Sequence, residues 1–151
     1  RLTLLKSAIR PDAQADQGRH VFTYSLLPHW GSVESNSQVQ REAYELNYPW
    51  RAELLPTQPN GNLPAEYSFA EGDFVMVDTV KKAEHEAAWI VRVHEPSGFR
   101  KHNAHVDFGS PIKKAVECNL IEEDETPVDF KEDRLAFAIA PYEIKTFKVW
   151  F

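Results

Sequence analysis

Leu135-Ala136-Phe137-Ala138-Ile139 and Trp89-Ile90-Val91-Arg92-Val93-His94 decide the fold of this chain. In the first, large side chains alternate with alanines; in the second, Trp89, Val91 and Val93 alternate with Ile90, Arg92 and His94. A period of two turns one set of side chains inward and the other outward, which is the pattern of a strand with one buried face. Val21-Phe22-Thr23-Tyr24-Ser25-Leu26 repeats the pattern, with Phe22, Tyr24 and Leu26 on one face. The run Phe74-Val75-Met76-Val77 is unbroken and apolar, as expected of a strand covered on both sides. Residues 104–108, 114–121, 135–140 and 144–151 complete the set. Seven or more short strands with turn signals between them predict an all-β fold, an antiparallel β-sandwich. An up-and-down barrel has the same local pattern and stays open at this level.

One segment has a different period. Val33, Val39, Ala43, Tyr44 and Leu46 are spaced helically, and Asn47-Tyr48-Pro49 supplies a stop. The expectation is one short helix within Ser37 to Leu46. The stretch Thr57-Gln58-Pro59-Asn60-Gly61-Asn62-Leu63 reads as a turn-rich loop between two halves of one sandwich. Glu122-Glu123-Asp124-Glu125 reads as a solvated acidic turn. The chain is therefore expected to be one domain over residues 1–151.

Composition narrows the function classes. A net charge of −6 over 151 residues disfavours sequence-independent nucleic-acid binding, which needs a basic surface. No apolar run reaches the roughly 20 residues that span a bilayer. The single cysteine, Cys118, leaves no partner for an internal disulfide and points to a reducing, cytoplasmic setting. The first residue is Arg1, leading into the apolar run Leu2-Thr3-Leu4-Leu5, which reads as a start cut from a longer polypeptide. The apolar end Phe147-Lys148-Val149-Trp150-Phe151 reads as a C-terminus or a cut just past one.

Few residues offer chemistry. His102, His105 and Asp107 lie within six positions and are of metal-ligating types. The alternation that puts Ala104, Val106 and Phe108 inward, however, turns His105 and Asp107 to water, and a solvated face is the expectation. Asp12 and Asp16 form a carboxylate pair in the polar loop Arg10 to His20, and glycoside hydrolysis needs two carboxylates at a set separation. Asp and Gly also build turns, which is the plainer reading of this loop. Cys118 is expected in the core beside Val116 and Leu120. Arg92 and Glu95 read as a surface ion pair. Trp30, Tyr48 and Trp50 are suited to stacking on sugar rings, or to packing. No phosphate-cradling glycine loop and no nucleophile elbow is present. On residue chemistry alone, the chain has no self-sufficient catalytic set.

Longer blocks carry a resemblance. Leu2-Thr3-Leu4-Leu5, Pro11-Asp12, Ala15-Asp16-Gln17-Gly18-Arg19-His20, Phe22-Thr23-Tyr24 and Pro28-His29 follow one another as they do near the start of the C-terminal part of family 38 glycoside hydrolases, the α-mannosidases of the bacterial and fungal-vacuolar kind. Ala43-Tyr44-Glu45-Leu46-Asn47, Val91-Arg92-Val93-His94-Glu95 with Gly98, Asn119-Leu120-Ile121-Glu122 and Pro141-Tyr142-Glu143-Ile144-Lys145-Thr146-Phe147 resemble later blocks of that family in the right order. His94 and Tyr142 depart from it, standing where the family usually has Tyr and Phe. The resemblance covers nearly the whole chain. It implies retaining hydrolysis of terminal α-mannosides with a bound zinc ion. It also implies that the nucleophile and the zinc ligands sit in an N-terminal domain absent here, so no catalytic or metal residue is carried over. What it implies for this chain is a loop, Arg10 to His20, that closes the sugar pocket through Arg10, Asp12, Asp16 and Gln17. The partners expected are the missing catalytic domain and, through it, an α-mannoside; homo-oligomerisation of the parent stays open. The competing expectations are a free-standing carbohydrate-binding sandwich and a pure interaction domain.

Overall fold

The computed structural model describes residues 3–33, 37–54 and 68–151. Among these residues one helix, α1 (Ser37–Asn47), precedes nine strands: β1 (Ala70–Asp73), β2 (Met76–Lys82), β3 (Trp89–His94), β4 (Lys101–Phe108), β5 (Lys114–Cys118), β6 (Thr126–Pro127), β7 (Phe130–Lys131), β8 (Arg134–Ile139) and β9 (Ile144–Trp150). They form two antiparallel sheets, ordered β1-β4-β8-β7 and β2-β3-β9-β5-β6. The expected sandwich with a single short helix is what the described residues form. No helix among the described residues is long and apolar enough to cross a membrane.

The core lies between the sheets and is built by the predicted alternation. Leu135, Phe137 and Ile139 of β8 are buried while Ala136 and Ala138 face out. From the opposite sheet β3 contributes Val91 and Val93, and β9 contributes Phe147 and Val149, all fully buried. The Phe137 and Phe147 rings meet across the interior at 4.6 Å, so the two sheets touch through their largest side chains. At one end Phe69, Phe108 and Phe151 make edge contacts that close the sandwich, Phe108 and Phe151 at 5.3 Å.

The chain passes from the first sheet to the second between β1 and β2 in two residues. That tight passage explains Gly72, where a Cβ would lie 2.5 Å from the Val75 carbonyl oxygen. It also leaves Phe74 at φ 61° and 60% exposed, so the run 74–77 is not covered on both sides as its composition suggests. Val75 alone of the pair enters the core.

The outer face of the second sheet carries a different cover. Ile90, Thr146 and Lys148 point away from the core yet are nearly or fully buried. The loop after β5 crosses over them. Lys148 Nζ donates to Glu125 Oε1 at 2.5 Å, Glu86 Oε1 at 3.0 Å and the Glu122 carbonyl at 3.2 Å. Glu122 pairs with Lys81 at 2.5 Å and accepts the Glu84 N–H at 2.8 Å. The acidic run 122–125 is therefore a clamp on two lysines as well as a turn. The Glu125 hydrogen bond keeps the Lys148 ammonium above its ordinary range despite burial.

Three further expectations are corrected. Val21 to Leu26 makes no strand, and neither do Thr3 to Leu5, because alternation specifies faces but not a pairing partner, and among the described residues no strand pairs with them. Arg1, Leu2 and the loop 57–63 lie outside the described residues. Trp89 sits at the strand end against Phe69, 37% exposed, while Ile90 on the other face is sealed.

Candidate functional site

The loop Arg10 to His20 is built from turn chemistry. Asp12 Oδ1 accepts the Gln14 N–H at 2.8 Å and the Asp12 carbonyl accepts Ala15 N–H at 3.3 Å. Gln17 N–H reaches the Gln14 carbonyl at 3.2 Å, and its side-chain amide donates to the Ala13 carbonyl at 3.2 Å. His20 Nε2 donates to the Asp16 carbonyl at 2.6 Å. Asp16 adopts φ 57°, which a short polar side chain tolerates better than most. Arg10, Asp12, Asp16 and Gln17 thus share one compact exposed loop, with the side chains of Arg10 and Asp16 open to solvent.

The other predicted residues disperse. On β4, Ala104, Val106 and Phe108 face the core, so His105 and Asp107 share the opposite face, while His102 is exposed in the irregular register before Ala104. Asp107 is forked by Arg134, with N···O distances of 2.6 and 2.9 Å, and its carboxyl is held below the usual range by that bond. His105 Nε2 stands 3.6 Å from the same carboxylate. Among the described residues, no three His, Cys, Asp or Glu side chains converge in a way that would hold an ion. Cys118 is buried, but on the outer face of its sheet opposite Thr146 rather than in the core, with Leu120 59% exposed, and burial pushes its thiol up, away from thiolate chemistry. Trp30 and Trp50 are 96% and 93% exposed, and Tyr48 stacks on Tyr44 with centroids 6.1 Å apart.

Arg92 and Glu95 are not a surface pair. Arg92 donates to Thr146 Oγ1 at 3.2 Å and to the Leu120 carbonyl at 3.2 Å, fastening the crossing loop. Glu95 is completely buried. Its carboxylate accepts the Ser97 hydroxyl, the Ser97 N–H at 3.0 Å, the Gly98 N–H at 2.6 Å and the Tyr142 N–H at 3.2 Å. Burial alone would raise this carboxyl, but those donors together outweigh it and the group is held below its ordinary value. The block His94-Glu95-x-x-Gly98 is therefore a knot that ties the β3–β4 turn to the β8–β9 turn. Gly98 completes it at φ 77°, where a Cβ would lie 2.5 Å from the Tyr142 hydroxyl. Gly98→Ala is expected to destabilise the domain by about 1–3 kcal/mol, read from equilibrium unfolding. Unchanged stability would mean that Tyr142 swings aside and the turn relaxes.

A cleft of about 590 Å³ opens beside this knot, between α1 and the ends of β2 and β3. Asp78 is its centre. The β2–β3 pairing matches Val77 with Val93 and Thr79 with Arg92, so Asp78 is the extra residue of a bulge, a device that re-aims a side chain. Tyr44 Oη donates to Asp78 Oδ1 at 2.6 Å, and His94 Nδ1 donates to Oδ2 at 2.6 Å. The hydrogen bond to Asp78 pushes the Tyr44 phenol up to about 12, so it stays protonated at ordinary pH. Gln40 ties the same helix down by donating to the Pro96 carbonyl at 3.3 Å. This cluster is absent from the sequence reading, although Tyr44 and His94 both stand in recognised blocks. Its members lie 34 and 16 residues from Asp78, and only the bulge brings them together.

The cleft does not assemble a catalytic set. Among the described residues its lining includes no Ser, Thr, Cys or Lys. Of its two carboxylates, Asp78 is held by Tyr44 and His94, and Glu95 is saturated by backbone donors. Neither stands free to protonate a leaving group or attack an anomeric carbon. What the arrangement does is latch α1 to the sandwich.

Residues 75–147 match the family described as the glycosyl hydrolases family 38 C-terminal beta sandwich domain. Alpha-mannosidase G of Dictyostelium discoideum is 34% identical over 153 residues, covering 97% of this chain and 14% of that protein. The human alpha-mannosidase 2C1 is 32% identical over 152 residues, with 95% and 14% covered. An alpha-mannosidase of Saccharomyces cerevisiae is 26% identical over 175 residues, with 100% and 16% covered. The chain thus spans about one-seventh of the length of the relatives it matches.

Proposed function

Since this chain belongs to glycosyl hydrolase family 38 and carries its C-terminal β-sandwich domain, we propose that it is a non-catalytic region of an α-mannosidase that hydrolyses terminal α-mannosides. The observation that carries the proposal is the state of its carboxylates. Glu95, Asp78 and Asp107 are all engaged in structural hydrogen bonds, and the domain is organised around them as a scaffold. The retaining chemistry, its nucleophile and its zinc are assigned to the part of the polypeptide outside this chain. The donor set here does not suit zinc: Asp107, the carboxylate beside His105, already accepts two N–H groups from Arg134.

Within this reading the loop Arg10 to His20 helps to close the sugar pocket. It is support for this role that the backbone of the loop satisfies itself by turn bonds, which leaves Arg10 and Asp16 outward for sugar hydroxyls. Asp12→Ala and Asp16→Ala in the parent enzyme, supplied with zinc, are each expected to lower kcat/KM by roughly tenfold or more, the scale of one lost hydrogen bond to a charged group. Wild-type kinetics in both variants would remove the loop from the pocket. The isolated chain is expected to show no mannosidase activity.

A second reading, a carbohydrate-binding sandwich acting by itself, draws on the exposure of Trp30 and Trp50. It requires a saturable change in tryptophan fluorescence when the chain alone is titrated with mannosides, and loss of that change in Trp30→Ala or Trp50→Ala. A flat titration leaves the scaffold reading.

A further inference from the structure

The segment Val21-Phe22-Thr23-Tyr24-Ser25-Leu26-Leu27 has the alternation of a strand, contains no charged residue, and pairs with no strand among the described residues. Both of its faces are open to solvent: Phe22, Tyr24 and Leu26 on one, Val21 and Leu27 on the other, with Val21 at 80% and Leu26 at 84%. An uncharged, β-favouring stretch with unpaired backbone groups is what folded proteins avoid leaving bare. The sandwich does not need it, because both sheets are complete from Ala70 to Trp150 and the core lies within them.

The sandwich match begins at residue 75, so this segment stands outside it. Yet the relatives align over 95–97% of the chain, and about six-sevenths of their own length lies beyond it. The segment is thus shared with the relatives without being part of the C-terminal sandwich.

We propose that residues 21–27 form a β-strand on the edge of a sheet whose other strands lie elsewhere in the parent α-mannosidase polypeptide. The inference rests on the reading of this chain as part of such an enzyme, and it adds the surface by which the two parts join. Edge addition pairs the backbone N–H and C=O groups on one side of the segment with the neighbouring strand, and the two side-chain faces enter separate layers of the recipient. The loop Arg10 to His20 leads directly into this strand, so docking would fix the loop against the same neighbour.

Hydrogen exchange resolved by peptide mass spectrometry tests this without any variant. In the parent polypeptide, the amides of residues 21–27 that face the neighbouring strand are expected to exchange at least about 100-fold more slowly than in this chain alone, where they should exchange as open backbone. Thr23→Pro in the parent should abolish that protection, while the same substitution in the isolated chain leaves the unfolding midpoint of the sandwich unchanged. Fast exchange in both forms overturns the proposal. Protection that appears in the isolated chain and grows with its concentration also overturns it, assigning the strand to a second copy instead. A parent that shows the protection but no mannosidase activity would sink the functional reading and leave the docking strand standing.

Discussion

Glu95→Ala is expected to destabilise the domain by about 3–5 kcal/mol, close to the upper end for a single substitution. The substitution removes one completely buried carboxylate and leaves the N–H groups of Ser97, Gly98 and Tyr142, together with the Ser97 hydroxyl, without their acceptor. Each buried unsatisfied donor costs about 1–3 kcal/mol, and entry of water into the vacated space recovers part of the sum. For a domain of this size the melting temperature should fall by roughly 10 °C. The carboxyl is held below its ordinary value, so its contribution has a definite pH dependence. A depressed carboxyl stabilises fully above its unfolded value of 4.5 and loses that stabilisation as pH falls through the folded value. Glu95→Gln, which cannot titrate, should therefore be less stable than wild type at pH 7 and approach it in acid. Urea midpoints measured from pH 7 to pH 3 decide the matter. A constant gap between the two proteins would show that the charge of Glu95 is not what the knot requires.

Phe147→Ala is expected to cost about 3–5 kcal/mol by a different route. Phe147 has no exposed surface, stands on the strand between β3 and β5, and meets Phe137 of the facing sheet at 4.6 Å. Truncation leaves a cavity at the point where the two layers touch, and the hydrogen-bonded neighbours on both sides limit how far β9 can collapse into it. Phe147→Leu, which keeps most of the volume, should cost under about 1.5 kcal/mol. The check is the denaturant midpoint with an unchanged slope, since the surface exposed on unfolding stays the same. An alanine variant within about 0.5 kcal/mol of wild type, the range of ordinary surface substitutions, would mean that the sheets repack without this ring. In the parent enzyme the scaffold reading expects both variants to shorten thermal lifetime while leaving kcat/KM near wild type at low temperature.

The sheet core was legible because burial of alternate side chains leaves a period of two in the sequence. Val91 and Val93 read inward from that period alone, the alternation of Leu135, Phe137 and Ile139 with alanines reads as a strand packed over a tight layer, and the helix within Ser37 to Leu46 differs from the observed α1 by one residue. The same rule placed Ala104, Val106 and Phe108 in the core and turned His105 and Asp107 away from it. It failed at Ile90 and Lys148, whose outward faces are sealed by a loop distant in sequence. Glu95 reads as a surface group and is buried, and the acidic run 122–125, a largely exposed turn as its composition indicates, also clamps Lys81 and Lys148, for a related reason. A carboxylate looks like a surface group until its donors are known, and here they come from Tyr142, Lys81 and Lys148.

By itself, then, the sequence determined the class of fold, the inward face of its main strands, the helix and, through its ordered blocks, the family. These are carried by local periodicity and by residue order along the chain, both of which are one-dimensional. Only the tertiary structure decided the register that bulges at Asp78 and so joins Tyr44 to His94, the burial of Glu95, and the absence of a paired strand beside residues 21–27 among the described residues. Those depend on which strands pair and on what crosses over them, and pairing is a relation between distant segments that no single stretch of sequence contains.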